Sequence, residues 1–195
     1  GSCPGRCRER SLPFHAGLTA WRIQAPSEPI RFHDRIKGDV QTFLRPTSGD
    51  FILYRRDQIY AYHLATVIDD DETGITDVVR GEDLLDATPQ QIFLHEALSL
   101  PLPNYAHTPL LISPDGRKLS KSEGAPPTQK EQSGIVLAYL MRCLGLPPPK
   151  TILGAAPADL LEWAIAVWDL NAIRRIGTLI VEDNTIPSCP ITSNS

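Results

Sequence analysis

The chain has 195 residues, 42% of them hydrophobic, and a formal net charge of −4 at pH 7. This composition allows one ordinary domain, alone or with a small appendage, and it excludes attraction of nucleic acid by the molecule as a whole, so such contact would need a local basic patch. Four unevenly spaced cysteines, no leader and no run of roughly 20 apolar residues lead us to expect a cytoplasmic protein without a disulfide scaffold, neither secreted nor in a membrane.

The first fifty residues show little regular pattern. We predict loops and short edge strands here, Trp21-Arg22-Ile23 being one of the short apolar alternations. From Asp50 the pattern becomes regular. Residues 51–54 are rich in β-formers and predict a strand, and the apolar run from Tyr60 to Ile68 favours a helix.

A second strand and a helix follow in the clearest part of the sequence. The β-branched run 75–80, between two glycines, predicts a buried strand that ends at Arg80. Thr88 is a candidate helix N-cap, Pro89 suits the first helical position, and Gln91 completes a capping box. We predict a helix from there to about Leu100.

A third strand is predicted from Thr108 to Ser113, before the turn residues Pro114-Asp115-Gly116. Two strands joined through a helix are most economically parallel, and parallel strands end at the same edge of a sheet. Arg80 and the loop that begins at Asp115 are therefore expected on one edge, where open α/β sheets bind ligands.

The remainder of the chain predicts helices and a tail. Residues 124–129 form a Pro-containing linker, and amphipathic helices are expected at about 134–144 and 157–176. Leu160, Leu161, Ala164, Ile165, Val167 and Trp168 are spaced for the buried face of the second helix. Residues 187–195 are polar and Ser-rich, which predicts disorder.

The segment Gly116-Arg117-Lys118-Leu119-Ser120-Lys121-Ser122 places three cations and two hydroxyls within seven positions. Lysine ammoniums on a mobile loop can neutralise the charge that builds on a pyrophosphate leaving group. Basic surface loops with serines are also common, so the segment by itself leaves both interpretations open.

The segment also carries a family resemblance. Lys118-Leu119-Ser120-Lys121-Ser122 resembles the KMSKS signature of class I aminoacyl-tRNA synthetases, and four further stretches resemble their glutamyl and glutaminyl branch: 50–57, 60–65, 74–84 and 107–111. The resemblance is good to about residue 123 and recognisable to about 180. It implies an α/β fold, the C-terminal half of a Rossmann-like catalytic domain with a short all-helical C-terminal appendage.

By this resemblance Tyr62 and Arg80 would bind the substrate L-glutamate, with Arg80 pairing to a carboxylate. Arginine's planar fork suits that role because it matches a carboxylate bidentately. The residues alone leave alternatives open. Arg80 could form a structural ion pair with a nearby acid, namely Glu82, Asp83 or Asp86, and Tyr62 could be a core aromatic residue.

The resemblance also assigns the signature loop to ATP and Mg²⁺. Lys121 would be the catalytic, ATP-contacting lysine and Lys118 its auxiliary, while Ser120 and Ser122 would help to bind ATP.

Zinc is a further expectation of the resemblance. In the glutamyl-Q family a Tyr-x-Gly-x-Cys segment supplies the last two zinc ligands after an upstream Cys-x-Cys pair, and Cys3 and Cys7 fall on those two positions. Two thiols are half of a tetrahedral Zn²⁺ shell, so free thiols are the alternative. The five histidines show no ligand-like spacing. We predict that His95 lies on a helix surface and that His107 is structural or unassigned.

The short C-terminal part favours one member of the branch. Only residues 123–195 follow the signature, too few for the usual anticodon-binding domain, and this shortness resembles the glutamyl-Q tRNA(Asp) synthetase family. The implied reaction is activation of glutamate with ATP and its transfer to queuosine of tRNA(Asp), by a protein we expect to be a monomer. A fragment of an ordinary glutamyl-tRNA synthetase and an inactive remnant or tRNA-binding module are the alternatives.

Four segments are expected from this comparison. Residues 1–49 would be the remnant of a zinc-containing, acceptor-binding insertion, 50–123 the second half of the catalytic core, 124–186 a helical region and 187–195 a tail. The HIGH-type motif and the first half of the nucleotide fold would precede residue 1. We therefore expect the printed chain alone to be severely impaired as a ligase.

Overall fold

The computed structural model describes residues 13, 15, 17–119, 132–173 and 178–181. Contacts between Cα atoms divide the chain into two compact units, residues 1–107 and 108–195. The four segments expected from the sequence are a different kind of division, and their boundaries stay predictions. Within the described ranges, no helix has both the length and the apolar character needed to cross a membrane.

The first unit combines two small sheets with helices. Its strands are β1 (Trp21–Ile23), β2 (Ile30–Asp34), β3 (Gly38–Thr42), β4 (Phe51–Tyr54), β5 (Asp77–Gly81) and β6 (Asn104–Thr108, whose last residue opens the second unit), and its helices are α1 (Leu44–Thr47), α2 (Tyr62–Glu72) and α3 (Thr88–Leu98). Strands β1 and β4 pair antiparallel, and the larger sheet has the order β3-β2-β6-β5. The mixed α/β character expected from the sequence is confirmed.

The β2–β3 hairpin lies where the sequence predicted mainly loops. Its turn is built by Asp34, whose Oδ1 accepts the backbone N–H groups of Ile36 at 2.9 Å and Lys37 at 2.8 Å. Gly38 then takes a φ of +82°, which a residue with a Cβ rarely adopts. A short acidic side chain and a glycine, four positions apart, thus close the hairpin.

The strand next to β5 differs from the prediction. We expected it at Thr108 to Ser113, but the neighbour in the sheet is β6, which ends at Thr108. The backbone N–H of Asn104 donates to the carbonyl of Thr76, just before β5 begins, at 2.8 Å. The prediction was wrong because we expected the two prolines, Pro101 and Pro103, to delay the next strand. The chain instead enters the sheet immediately after the second proline.

The core of the first unit lies between the sheets and the helices α2 and α3. Its buried apolar residues are Ala25, Ile30, Leu44, Phe51, Val67, Ile92, Leu94 and Tyr105. The burial of these side chains is the main force that fixes both helices against the sheet. Strand β5 itself is not the buried strand we predicted, since Val79 is exposed and only alternate residues are covered.

The second unit is mainly helical in its described part. Its elements are β7 (Leu111–Ile112), α4 (Ser133–Cys143), α5 (Pro157–Ala166), α6 (Leu170–Ile173) and β8 (Leu179–Ile180). Strands β7 and β8 pair in parallel, and the buried residues that hold α4 to α5 are Ala138, Met141, Leu146, Leu160 and Ala164.

The predicted helix 157–176 was wrong in its length and in part of its buried face. It is interrupted after Ala166 and resumes at Leu170. Leu160 and Ala164 are buried as predicted, but the other four residues of the predicted face are exposed: Leu161, Ile165, Val167 and Trp168. The buried face of this helix is therefore narrower than the spacing of its apolar residues indicated.

Candidate active site around Arg80

Arg80 lies near the end of β5 and is held by three side chains. Its Nε donates to Nε2 of His107 at 3.1 Å, and its Nη2 donates to Oγ1 of Thr88 at 2.9 Å and to Oε1 of Gln91 at 2.7 Å. The three partners come from β6 and α3, and Arg80 itself is half-buried. Contacts through two of its nitrogens fix the plane of the guanidinium.

A buried carboxylate stands behind His107. Oδ2 of Asp34 lies 2.6 Å from Nδ1 of His107, and both side chains are 0% exposed. Oδ1 of Asp34 also accepts the backbone N–H of His107 at 3.2 Å, in addition to its two bonds within the β2–β3 turn. One carboxylate therefore connects the hairpin turn, β6 and, through His107, the arginine on β5.

Burial alone would raise the pKa of Asp34. The N–H of Lys37, the His107 side chain and the N–H groups of Ile36 and His107 act in the opposite direction, and together they lower this pKa below its usual value. Asp34 is consequently an acceptor only, so the proton between it and His107 belongs to Nδ1.

An aromatic ring lies beneath the guanidinium. Cζ of Arg80 is 5.6 Å from the centroid of the Tyr105 ring, and this ring stacks on His107 at 6.2 Å. Burial raises the pKa of Tyr105 to about 12, although the charge of Arg80 opposes the change. Tyr105 therefore stays neutral at ordinary pH and presents an apolar, electron-rich face to the cation.

Tyr62 begins α2 with a side chain that is 55% exposed, so it is not the core aromatic residue that was the alternative. Its ring contacts His63 at 5.4 Å, and His63 contacts Phe51 at 6.3 Å. Burial, and secondly the positive charge of Arg80, lower the pKa of His63. The electrostatic effect of Arg80 thus reaches the residue next to Tyr62.

Of the three acids considered as ion-pair partners of Arg80, Glu82 has another partner. Glu82 pairs with Lys37, its Oε2 lying 2.6 Å from Nζ. The contacts described above bind the guanidinium to three neutral groups. These neutral acceptors orient the guanidinium without themselves cancelling its charge.

The predicted capping box at the start of α3 was wrong. The N-cap is Ala87, without a side-chain cap bond. Thr88 donates to the carbonyl of Leu84 at 3.1 Å, and both Thr88 and Gln91 accept from Arg80. Residue types that suit a cap are used here to bind the arginine.

Two histidine predictions also need correction or extension. His95 was predicted on a helix surface, but it is only 2% exposed, and burial is the main reason for its lowered pKa. His107 was left structural or unassigned, and it is the central member of the Arg80 cluster. Its position after a proline-rich stretch carried no periodic pattern that could have identified it.

The signature loop is described only at its start, in the second unit. Residues 111–119 form a hairpin in which Ser113 and Arg117 bond through the backbone at 2.8 Å, around the predicted turn with Gly116 at a φ of +82°. Lys118 is exposed beyond this turn. The Ser113 hydroxyl, and then Arg117, lower the pKa of Asp115 to about 2.

Several predicted features lie outside the described residues: Cys3, Cys7, Ser120, Lys121, Ser122, the linker 124–129 and the tail 187–195. Their roles, and the meeting of Arg80 with Lys121 in one cleft, therefore stay predictions. Among the residues that are described, no group of three His, Cys, Asp or Glu side chains could hold a metal ion.

Comparison with known proteins identifies the class. Residues 14–136 match the family described as tRNA synthetases class I (E and Q), catalytic domain. This is more than half of the chain, and the chain belongs to that family. The predicted class I synthetase fold is thereby confirmed.

The chain is also similar to individual members. It is 48% identical over 179 residues to the glutamyl-Q tRNA(Asp) synthetase of Ectopseudomonas mendocina (strain ymp), covering 92% of this chain and 60% of that protein. It is 48% identical over 170 residues to the enzyme of the same name from Thiobacillus denitrificans, covering 87% of this chain and 56% of that protein. The chain thus spans less than two thirds of the length of these relatives.

Solved structures agree on the fold. The glutamate-tRNA synthetase of Elizabethkingia anophelis superposes with a TM-score of 0.61 at 25% identity, over 83% of this chain and 36% of that one. A glutamate tRNA ligase from Elizabethkingia meningosepticum, solved in complex with its amino acid, gives the same TM-score and identity.

Proposed function

We propose that this chain is the C-terminal part of a ligase that activates glutamate with ATP and transfers it to queuosine of tRNA(Asp). The names of relatives at 44–48% identity support the acceptor, and the family supports the reaction type. The observation that carries the proposal is the fixed, positively charged fork of Arg80 near the end of a sheet strand.

Arg80 would bind a carboxylate of the amino acid. A guanidinium whose plane is already fixed can meet a carboxylate without first being ordered, so binding costs less side-chain entropy. Tyr62, exposed at the start of α2, would contact the same substrate. Fixing the amino acid against rotation brings its other carboxylate into line with the α-phosphate of ATP.

The signature loop would act on the ATP side. Lys121, assisted by Lys118, would neutralise charge on the departing pyrophosphate, and Ser120 and Ser122 would bind its oxygens. Mg²⁺ supplies further neutralisation of the phosphates when ATP is bound. For zinc, Cys3 and Cys7 would need two more ligands to complete a tetrahedral shell, and we assign zinc no step in the reaction. The monomeric state and cytoplasmic location likewise stay predictions.

The test is an acceptor comparison with the gene product at its natural length. Labelled glutamate and ATP are supplied with tRNA(Asp) that contains queuosine, with tRNA(Asp) that lacks it, and with tRNA(Glu). We expect label only on the first. Label on tRNA(Glu) alone would identify an ordinary glutamyl-tRNA synthetase, and binding of tRNA without any transfer would identify an inactive tRNA-binding module.

A second arm examines the chain as printed, residues 1–195. ATP–pyrophosphate exchange that depends on glutamate should be severely reduced in this chain relative to the natural-length protein, because by resemblance the adenine contacts belong to the HIGH-containing half. Equal exchange rates would overturn that expectation while leaving the acceptor result intact.

A further inference from the structure

A continuous series of polar contacts crosses three neighbouring strands of the larger sheet. It starts at Asp34 on β2, passes through His107 on β6 and ends at Arg80 on β5, where Gln91 of α3 contacts the same guanidinium. The strand order β3-β2-β6-β5 makes these three residues side-by-side neighbours. The sheet thus connects the β2–β3 turn to Arg80 through side-chain hydrogen bonds.

Burying this series of polar groups costs free energy, so we ask what function it serves. Asp34 and His107 are 0% exposed and Gln91 is 2% exposed. A buried polar group without a partner destabilises the fold, and apolar residues of the same volume often stabilise a core equally well. A role beyond stability therefore has to be sought in what the series does to Arg80.

The direction of each hydrogen bond is fixed by chemistry. The carboxylate of Asp34 only accepts, so Nδ1 of His107 carries the proton. Arg80 only donates, so Nε2 of His107 must present a lone pair to Nε of Arg80, 3.1 Å away. The Thr88 hydroxyl, also 3.1 Å from Nε2, can donate to this nitrogen or to the Leu84 carbonyl. His107 is thereby assigned as neutral with its proton on Nδ1, and Asp34 is the group that selects this tautomer.

Gln91 holds the guanidinium from the helix side at an evident cost. Its Oε1 faces Arg80, which leaves Nε2 buried and without a hydrogen-bond partner among the described residues. An apolar side chain of similar length would avoid this unpaired donor. The acceptor towards Arg80 is what the glutamine supplies and an apolar residue would not.

We propose that Asp34 and Gln91 are positioning residues for the Arg80 guanidinium, Asp34 acting through the tautomer of His107 and Gln91 by direct contact. The inference rests on the proposed function, in which Arg80 receives a carboxylate of glutamate. Neither residue touches the substrate. Their effect is to hold the fork in its binding orientation before the amino acid arrives.

The first test is Asp34→Asn, which changes no volume. The amide oxygen continues to accept the N–H groups of Ile36 and Lys37, so its NH₂ group faces Nδ1 of His107. The proton of His107 then moves to Nε2, where it opposes the N–H of Arg80. We expect the KM for glutamate to rise by about 10-fold or more, with the KM for ATP unchanged.

A spectroscopic measurement accompanies this variant. The ¹⁵N chemical shifts of the His107 ring report which nitrogen carries the proton, and we expect Nδ1–H in the unmodified protein and Nε2–H in Asp34→Asn. A raised KM with an unchanged tautomer would overturn the assigned mechanism.

The second test is Gln91→Met, which still tests the proposal if the first variant folds poorly. It removes the acceptor of Arg80 and also the unpaired donor. We expect an unchanged or raised melting temperature together with a several-fold higher KM for glutamate. A purely structural glutamine would give no change in KM, and that result would overturn its positioning role.

A double-mutant cycle separates this inference from the function on which it rests. In an Arg80→Ala background, Asp34→Asn should add little further loss of kcat/KM for glutamate, because both changes remove the same interaction. Full additivity would contradict action through Arg80. If Arg80→Ala alone leaves glutamate use intact, the proposed function fails; if it abolishes glutamate use but both positioning variants behave normally, only this inference fails.

Discussion

The Arg80 cluster in the first unit and the α4–α5 pair in the second unit are both well packed, but they are packed with different material. Around Arg80 the buried contacts are polar and directional, and they connect β2, β6, β5 and α3. Between α4 and α5 the buried residues are apolar, and they include Met141, Leu160 and Ala164. Polar packing fixes an orientation, whereas apolar packing mainly fixes a distance.

This difference predicts how substitutions should divide between function and stability. Changes in the Arg80 cluster should alter the use of glutamate more than they alter folding. Changes between α4 and α5 should lower stability and leave the use of glutamate unchanged. Each of the following variants tests whether effects on function and effects on stability separate in this way.

The largest effect is expected for Arg80→Ala. Loss of a charged partner for a carboxylate should reduce kcat/KM for glutamate by about 100-fold, the equivalent of roughly 3 kcal/mol, without changing the KM for ATP. ATP–pyrophosphate exchange at varied glutamate measures this. Lys37→Ala, which removes the ion pair with Glu82 instead, is the matched control and should leave the KM for glutamate near normal.

A stability effect of intermediate size is expected for Gly134→Ala in α4. An ideal Cβ at this position would lie 2.8 Å from the carbonyl oxygen of Ala155, a backbone atom that cannot move cheaply. We expect a loss of about 1–2 kcal/mol, since the steric cost exceeds the gain in helix propensity.

Gly154→Ala is the control for this variant, because nothing lies within 4 Å of a Cβ added there. Thermal unfolding should show a lowered melting temperature for Gly134→Ala and an unchanged melting temperature for Gly154→Ala. Equal melting temperatures would show that the contact between α4 and the segment just before α5 is looser than described.

The pKa of His63 offers a smaller and more local measurement. Burial and the charge of Arg80 hold this pKa below 6.5. Because the folded value is depressed, this contribution to stability is present above pH 6.5 and decreases as the pH falls, when the unfolded chain binds the proton more readily. Arg80→Ala should raise the pKa of His63, as followed by NMR titration.

His95 provides the comparison within the same titration. Its pKa is also depressed by burial, but the charges that act on it come from Asp70 and Asp71. We expect no response of His95 to Arg80→Ala. Parallel movement of both histidines would indicate a general loosening of the unit and not the removal of one nearby charge.

The smallest effect concerns the turn before the signature loop. The Ser113 hydroxyl contributes most to lowering the pKa of Asp115 to about 2, followed by Arg117. The associated stability is present above the unfolded value of 3.8 and is lost as the pH falls through about 2. Ser113→Ala should raise this pKa more than Arg117→Gln does, and the reverse order would contradict the assigned cause.

Much of the fold could be predicted from the sequence where the local pattern was strong. The strand at 51–54, the helix at 88–98 and the turn at 114–116 follow from β-formers, an early proline and a Pro-Asp-Gly run. The β2–β3 hairpin was missed, although five-residue alternations and Gly38 were visible in the sequence. Asp34 closes that hairpin through a side chain whose use depends on tertiary contacts.

The site was predictable in part. Arg80 and Tyr62 were identified through the family resemblance, and their binding roles stay proposals. Thr88 and Gln91 were noticed, but as caps, because propensity describes the local backbone and not a cation that arrives from another strand. His107 and Asp34 lie 73 positions apart in the chain, so their 2.6 Å contact has no local sequence pattern.

A structure of the natural-length protein with bound glutamate tests the central claim most directly. It should show the Arg80 guanidinium within about 2.7–2.9 Å of a glutamate carboxylate, with its contacts to His107, Thr88 and Gln91 retained. A bound glutamate with both carboxylates held by other residues, and Arg80 away from them, would contradict the account.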